Sequence, residues 1–167
     1  LLVKTGIERE QTHLSADINR NPFLPSETDA SRGERFDTII EIMAHGLAYR
    51  MQATHQDRLV LGLSGGLDST LALLVACEAA KILHKNPGDI IQTLTMPGPA
   101  SSEHTQTNAQ VLAKALGVPN TVIPIHDLVK TELLAIAHDG QTQDITYENV
   151  QARARTSLLF NYGNQYH

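Results

Sequence analysis

Between residues 59 and 75 the chain reads LVLGLSGGLDSTLALLV. An apolar, strand-like run gives way to Ser-Gly-Gly, then to one acid, Asp68, and then to a helix-forming run. Glycine is poor material for either flanking element, and a lone carboxylate beside apolar residues is unfavourable, so a ligand is the simplest explanation for both. Gly65 and Gly66 remove side chains where the backbone turns from strand to helix. Peptide N–H groups can then face a ligand at a helix N-terminus, where the dipole favours anions. Ser64, Ser69 and Thr70 add hydroxyl donors. A phosphate-bearing ligand accounts for all of these choices together. Asp68 alone would repel phosphate, and it fits if a hard cation such as Mg²⁺ lies between them, because Mg²⁺ is commonly held by one or two carboxylates plus phosphate oxygens. The competing role for Asp68 is to stabilise the first helical turn, by about 0.3–1 kcal/mol. Its place directly after an apolar strand, with serine on both sides, favours phosphate. The loop lacks the order and the lysine of a Walker loop, and it does not follow the dinucleotide pattern G-x-G-x-x-G.

A second group lies in YENVQARAR, residues 147–155. On a helix, Asn149 and Arg153 share a face one turn apart. An arginine can give paired hydrogen bonds to a carboxylate or phosphate, and an asparagine amide both donates and accepts. Arg155 points elsewhere and reads as a structural ion-pair partner. Cys77 is the only cysteine and sits mid-helix, as a small packing residue would. His104 and His138 read as surface or capping residues. The 8 histidines show no i, i+3 or i, i+4 pair, which argues against a helical zinc site.

These groups must be held by alternating strands and helices. Residues 1–33 read as a linker or extension rich in turn-forming residues. From Glu34 a helix is expected, with Phe36, Ile39, Ile40, Met43 and Leu47 on one buried face. DRLVLGL gives a first strand, and the helix after the glycines carries Leu67, Leu71, Leu74, Val75 and Ile82 on one stripe. NPGD punctuates it. IIQTLTM forms the second strand and NTVIPI the third, separated by a helix over 102–116 with Ser102 as N-cap and Gly117 at its stop. Helices are expected over 127–138 and from about Asn149. This order implies an α/β fold, a doubly wound parallel sheet with ligands beyond the C-terminal ends of the strands, where 64–69 lies.

The 167 residues, 41% hydrophobic and 19% charged, suit one domain with a modest core. Thirteen basic against 18 acidic side chains leave a formal charge of −5, without the basic stripe of a nucleic-acid binder. No apolar run is long enough to span a membrane, so no membrane partner is expected. The single cysteine and the absence of a signal-like N-terminus suggest a cytoplasmic setting.

SGGLDST after a strand resembles the pyrophosphate loop (PP-loop) of the ATP-pyrophosphatase superfamily, a Rossmann-like, adenine nucleotide alpha hydrolase-like fold. That likeness alone leaves several members open: GMP, asparagine, argininosuccinate and NAD synthetases, and tRNA-thiolating enzymes. DITYENVQARARTSLLF resembles the NAD synthetase segment containing E-N-x-Q-A-R-x-R, and LTMPG and PFLP fit the same family in the same order. The chain is therefore similar to the synthetase domain of glutamine-dependent NAD⁺ synthetases. The resemblance implies ATP-dependent amidation of deamido-NAD to NAD⁺ through an adenylated intermediate, releasing AMP and pyrophosphate, with no side-chain nucleophile. It implies ATP binding by Gly62, Leu63, Ser64, Gly65, Gly66, Leu67, Asp68 and Ser69, Mg²⁺ on Asp68, and contacts to deamido-NAD from Asn149 and Arg153. Leu94 and the backbone of Thr93 to Met96 would line the adenine pocket. Ammonia would come from glutamine through an amidase domain, and the whole enzyme would be a homodimer or larger homo-oligomer. In this reading residues 1–33 are the linker from a missing amidase domain. Residues 34–167 are the N-terminal part of the synthetase domain, truncated after the third strand and following helix. The chain would then be a fragment with little activity of its own, and its first strand an open apolar edge. The alternatives are another ATP pyrophosphatase such as GMP synthetase, distinguished by YENVQARAR, or a non-catalytic nucleotide-binding module.

Overall fold

A computed structural model describes residues 29–99 and 103–166. The chain divides into two units, Leu1–Phe36 and Asp37–His167. Of the first, only the start of a helix is described; the second holds the sheet and everything that follows. Ser102, the expected cap of the fourth helix, lies outside the described residues.

The elements run α1 (Asp29–Ala53), β1 (Leu59–Gly62), α2 (Leu67–Ile82), α3 (Pro87–Ile90), β2 (Ile91–Thr95), α4 (Glu103–Ala115), β3 (Asn120–Val122), α5 (His126–Ala135) and α6 (Ile145–Gln165). The three strands form one parallel sheet in the order β1-β2-β3. Leu59 pairs with Ile91 and Gly62 with Leu94, while Thr93 pairs with Asn120 and Thr95 with Val122. The expected α/β architecture with a parallel sheet is thus present.

Strand alternation sends side chains to two cores. Leu59, Leu61 and Ile91 pack with Leu73, Ala76, Cys77 and Ala80 of α2 and with Ala109 and Ala113 of α4. Val60, Leu94 and Met96 pack with Val129 and Leu133 of α5 and with Tyr147, Val150 and Ala154 of α6. Helices therefore cover both faces, which is the doubly wound arrangement.

Several expectations shift. On α1 the buried line is Ala44, Ala48 and Met51, with Ile40 and Leu47 partly covered; Phe36, Ile39 and Met43 are exposed. Ala44 and Ala48 meet Val75 and Ala79 of α2, so small residues make the seam that larger apolar side chains were expected to make. α2 is itself packed on two sides, with Leu73, Ala76, Cys77 and Ala80 toward the sheet and Val75 and Ala79 toward α1. A single-stripe reading fails for such a helix, and Leu67 and Leu71 at its start are exposed. NPGD is a turn of helix, with Pro87 at its first position and Asn86 accepting from Gly88 N at 3.3 Å. Gly117 follows α4 with φ +66°, the left-handed conformation that ends a helix. α6 begins at Ile145, before Asn149, because Asp144 caps it by accepting from Tyr147 N at 2.9 Å.

No helix among the described residues is long and apolar enough to cross a membrane.

Candidate nucleotide site

The loop at 63–69 leaves the C-terminal end of β1 and enters α2. Gly65 has φ +81°, which an L side chain rarely adopts, and Gly66 is extended at φ −85°, ψ 169° as the N-cap of α2. Two serines lock this path. Ser69 Oγ donates to Gly66 O at 3.0 Å and accepts from Ser64 N at 3.3 Å. The two hydroxyl oxygens lie 3.0 Å apart, and because the Ser69 proton is already committed, Ser64 is the donor between them. Ser64 Oγ in turn accepts from Gly66 N at 3.2 Å, and Thr70 Oγ1 donates to Gly66 O at 2.9 Å.

The hydroxyls are thus committed to shaping the loop. What they leave for an anion is the first turn of α2, whose N–H groups have no intrahelical acceptor and no side-chain cap. Asp68, exposed in that same turn, is the carboxylate available to a cation there. No cluster of three or more His, Cys, Asp or Glu side chains suited to a metal occurs among the described residues. A cation on Asp68 would therefore need ligand oxygens to complete its shell. Phosphate oxygens and waters are the ligands that Mg²⁺ commonly takes beside one carboxylate.

The floor of the site is tied across the sheet. Leu63 N donates to Leu94 O at 2.8 Å, and Thr95 Oγ1 donates to Leu63 O at 3.1 Å. Asn120 Nδ2 reaches both Thr93 Oγ1 at 2.9 Å and Thr95 Oγ1 at 3.0 Å, while Thr93 Oγ1 donates to Pro119 O at 2.8 Å. From sequence Thr95 has only a backbone place in the adenine pocket and Asn120 only a place in β3; a run of hydroxyls on a buried strand, TLT, is the signal for their side-chain roles. Leu94 is 0% exposed within the α5–α6 core, with its carbonyl taken up by Leu63 N, so its side chain is a core residue and lines no open pocket. Gly62 is a packing position: an added Cβ would lie 3.2 Å from Leu159 Cδ1 and 3.4 Å from Met96 Cε.

α6 carries its polar residues on two faces. Asn149 and Arg153 are exposed one turn apart, and Arg153 borders a cavity of about 380 Å³ with Leu128 and Glu132 of α5. That lining includes no residue of the 63–69 loop. On another face, Arg155 Nε donates to Met96 O at 3.1 Å, so this side chain holds the turn after β2; its partial burial pulls its pKa below the ordinary arginine value. Cys77 lies in the core, and burial pushes its thiol pKa up, the opposite of a nucleophile's environment. His138 is a capping residue: Gly140 N donates to Nδ1 at 3.0 Å, which leaves Nε2 to donate to the α6 cap Asp144 at 3.2 Å.

Known proteins resemble the chain in sequence and in fold. The chain is 38% identical over 156 residues to the glutamine-dependent NAD(+) synthetase of Mycobacterium bovis, covering 91% of this chain and 23% of that protein. It is 34% identical over 167 residues to that of Thermotoga maritima, covering 98% and 26%. The chain thus spans about a quarter of the length of these relatives. Its fold superposes with a TM-score of 0.70 and 29% identity on the glutamine-dependent NAD⁺ synthetase of Acinetobacter baumannii, solved with ADP, over 78% of this chain and 24% of that one. The NH3-dependent NAD synthetase of Campylobacter jejuni matches at 0.66 and 26%, over 77% and 52%. The family model described as NAD synthase matches residues 39–167, which decides among the PP-loop enzymes: the chain belongs to the NAD synthase family.

Proposed function

We propose that the chain supplies the ATP-activating part of an NAD⁺ synthetase, acting on deamido-NAD. The observation that carries this reading is the open first turn of α2. Serine hydroxyls fix the loop, and the first-turn N–H groups of α2 are left without a side-chain cap beside one carboxylate. Such donors suit the β- and γ-phosphates of ATP.

In this reading the loop from Leu63 to Ser69 holds the pyrophosphate portion by its backbone, and Asp68 holds Mg²⁺, which supplies charge neutralisation to the departing pyrophosphate. The backbone of Thr93 to Met96, rigidly tied to Leu63, borders the adenosine end. Asn149 and Arg153 orient the anionic dinucleotide. The nicotinate carboxylate attacks the α-phosphorus, its new P–O bond forming as the bond to pyrophosphate breaks. Ammonia then displaces AMP from the acyl carbon and leaves the amide. Nothing in these steps asks for a side-chain nucleophile; the protein's part is positioning and charge. By the same reading, ammonia comes from glutamine through an amidase domain, the setting is cytoplasmic, and the whole enzyme is a homo-oligomer. The chain alone has little or no synthetase activity.

The test is calorimetric titration of the chain with ATP, with and without Mg²⁺, beside Asp68→Ala. Metal-dependent binding that the variant loses supports the site. Equal binding by both proteins removes Asp68 from it, and no binding by the parent chain overturns the claim that these residues form the site by themselves.

A further inference from the structure

The turn after β2 is held from three directions. Leu63 N donates to Leu94 O at the end of the strand, Ile125 N donates to Pro97 O at 2.9 Å, and Arg155 Nε donates to Met96 O at 3.1 Å. Gly98 then presses against α6. A Cβ built on it would lie 2.7 Å from Gln151 Oε1, 2.9 Å from an Arg155 terminal nitrogen and 3.1 Å from Ile125 Cδ1. An added methyl there would have to displace the ends of the Gln151 and Arg155 side chains.

Gln151 is a costly occupant of that position. It is 3% exposed, its Nε2 makes a long 3.4 Å bond to Tyr147 O, and its Oε1 has no hydrogen-bond partner. A buried acceptor without a donor is unfavourable, so packing alone would favour an apolar side chain. Gln151 and Arg155 lie one turn apart on α6, away from the exposed Asn149 and Arg153. One helix therefore grips the turn that follows β2, the strand bonded to Leu63, and also displays the candidate substrate residues.

We propose that Gly98 seated on Gln151 and Arg155 sets the position of the 96–98 turn, and through it the adenosine-side wall of the nucleotide cleft. Gln151 and Arg155 are positioning residues, linking α6 to the cleft without touching the reacting atoms. The second part rests on the reading under Proposed function; the seat itself does not.

The test is a cycle in the full chain: parent, Gly98→Ala, Gln151→Ala and the double variant. Two readouts are taken, exchange protection of the Ile125 amide without nucleotide and the Kd for Mg·ATP. Gly98→Ala is expected to cut Ile125 protection and weaken Mg·ATP at least about tenfold each, while core amides such as Leu73 stay protected. Adding Gln151→Ala makes room for the new methyl and brings both back to within about threefold of the parent. Unchanged protection in Gly98→Ala, or a loss that the second substitution does not reverse, overturns the seat. Restored protection with no effect on Kd overturns its role in the cleft. If the parent itself fails to bind Mg·ATP, the claim that these residues form the nucleotide site by themselves falls, and Ile125 exchange still decides the seat.

Discussion

Thr95 Oγ1 donates to the carbonyl of Leu63 at 3.1 Å, so the last residue of β2 fastens the first residue of the 63–69 loop. Leu63 O lies beyond the β1 ladder, and this hydroxyl gives it a partner inside the protein. Thr95→Val keeps shape and removes the donor. It is expected to destabilise the chain by about 1–3 kcal/mol, because a buried carbonyl and the Asn120 amide both lose a partner. Denaturant unfolding measures this; a change under about 0.5 kcal/mol would mean that water replaces the hydroxyl freely.

Ser69→Ala strikes the loop differently. The hydroxyl is near the surface, so the stability change is expected to stay within about 1 kcal/mol. The variant also releases Ser64 N and Ser64 Oγ from their partner, which frees the whole turn. Mg·ATP affinity should fall about tenfold, mostly through a less favourable binding entropy as the loop is ordered by the ligand. Calorimetry separates the two terms, and an unchanged Kd would show that the serine collar is not what preorganises the loop.

Gly65 offers a backbone test. Its φ of +81° falls in the region where a Cβ costs about 1–2 kcal/mol. Gly117 has a comparable φ of +66° with open space around it, at a helix end far from the loop in sequence. Gly117→Ala should therefore lower stability and leave Mg·ATP binding intact. Gly65→Ala should lower both. Similar binding in the two variants would mean that the loop tolerates a different path into α2.

The local chemistry was legible because it is contiguous: Ser64, Gly65, Gly66, Asp68 and Ser69 act on one another within a single turn. The order of strands and helices was legible for the same reason, from apolar runs punctuated by glycine and proline. The partners of Thr95, Asn120, Gln151 and Arg155 were not, because each lies 25 or more residues away or depends on how α6 docks. Arg155 reads as a structural ion-pair partner from sequence, and the structure adds a hydrogen bond from its Nε to the backbone carbonyl of Met96. The faces of α1 and α2 differ from expectation because alanines take part in the buried seam that a search for large apolar residues overlooks. The start of α6 was placed late because a polar stretch hid its cap, although Asp144 stands three residues before the amide it satisfies.

That polar stretch also carries a pH dependence. The Asp139 carboxylate accepts from Thr142 Oγ1 at 2.6 Å and from the Thr142 and Gln141 amides at 2.8 Å each. All three favour the charged form and hold its pKa down at about 2. Asp144, the cap of α6, is lowered too, first by the Tyr147 amide. A folded pKa below the unfolded value means that this stabilisation is full above about pH 4 and is lost as pH falls through the folded value. Stability of the α5–α6 connection should therefore decline between about pH 4 and 2. In Asp139→Asn the decline should be shallower, leaving the part due to Asp144. Carboxyl chemical shifts followed against pH give the midpoint directly. A value near 2 for Asp139 supports this account, and one near the ordinary aspartate value of about 3.9 would show that the turn is not formed in solution.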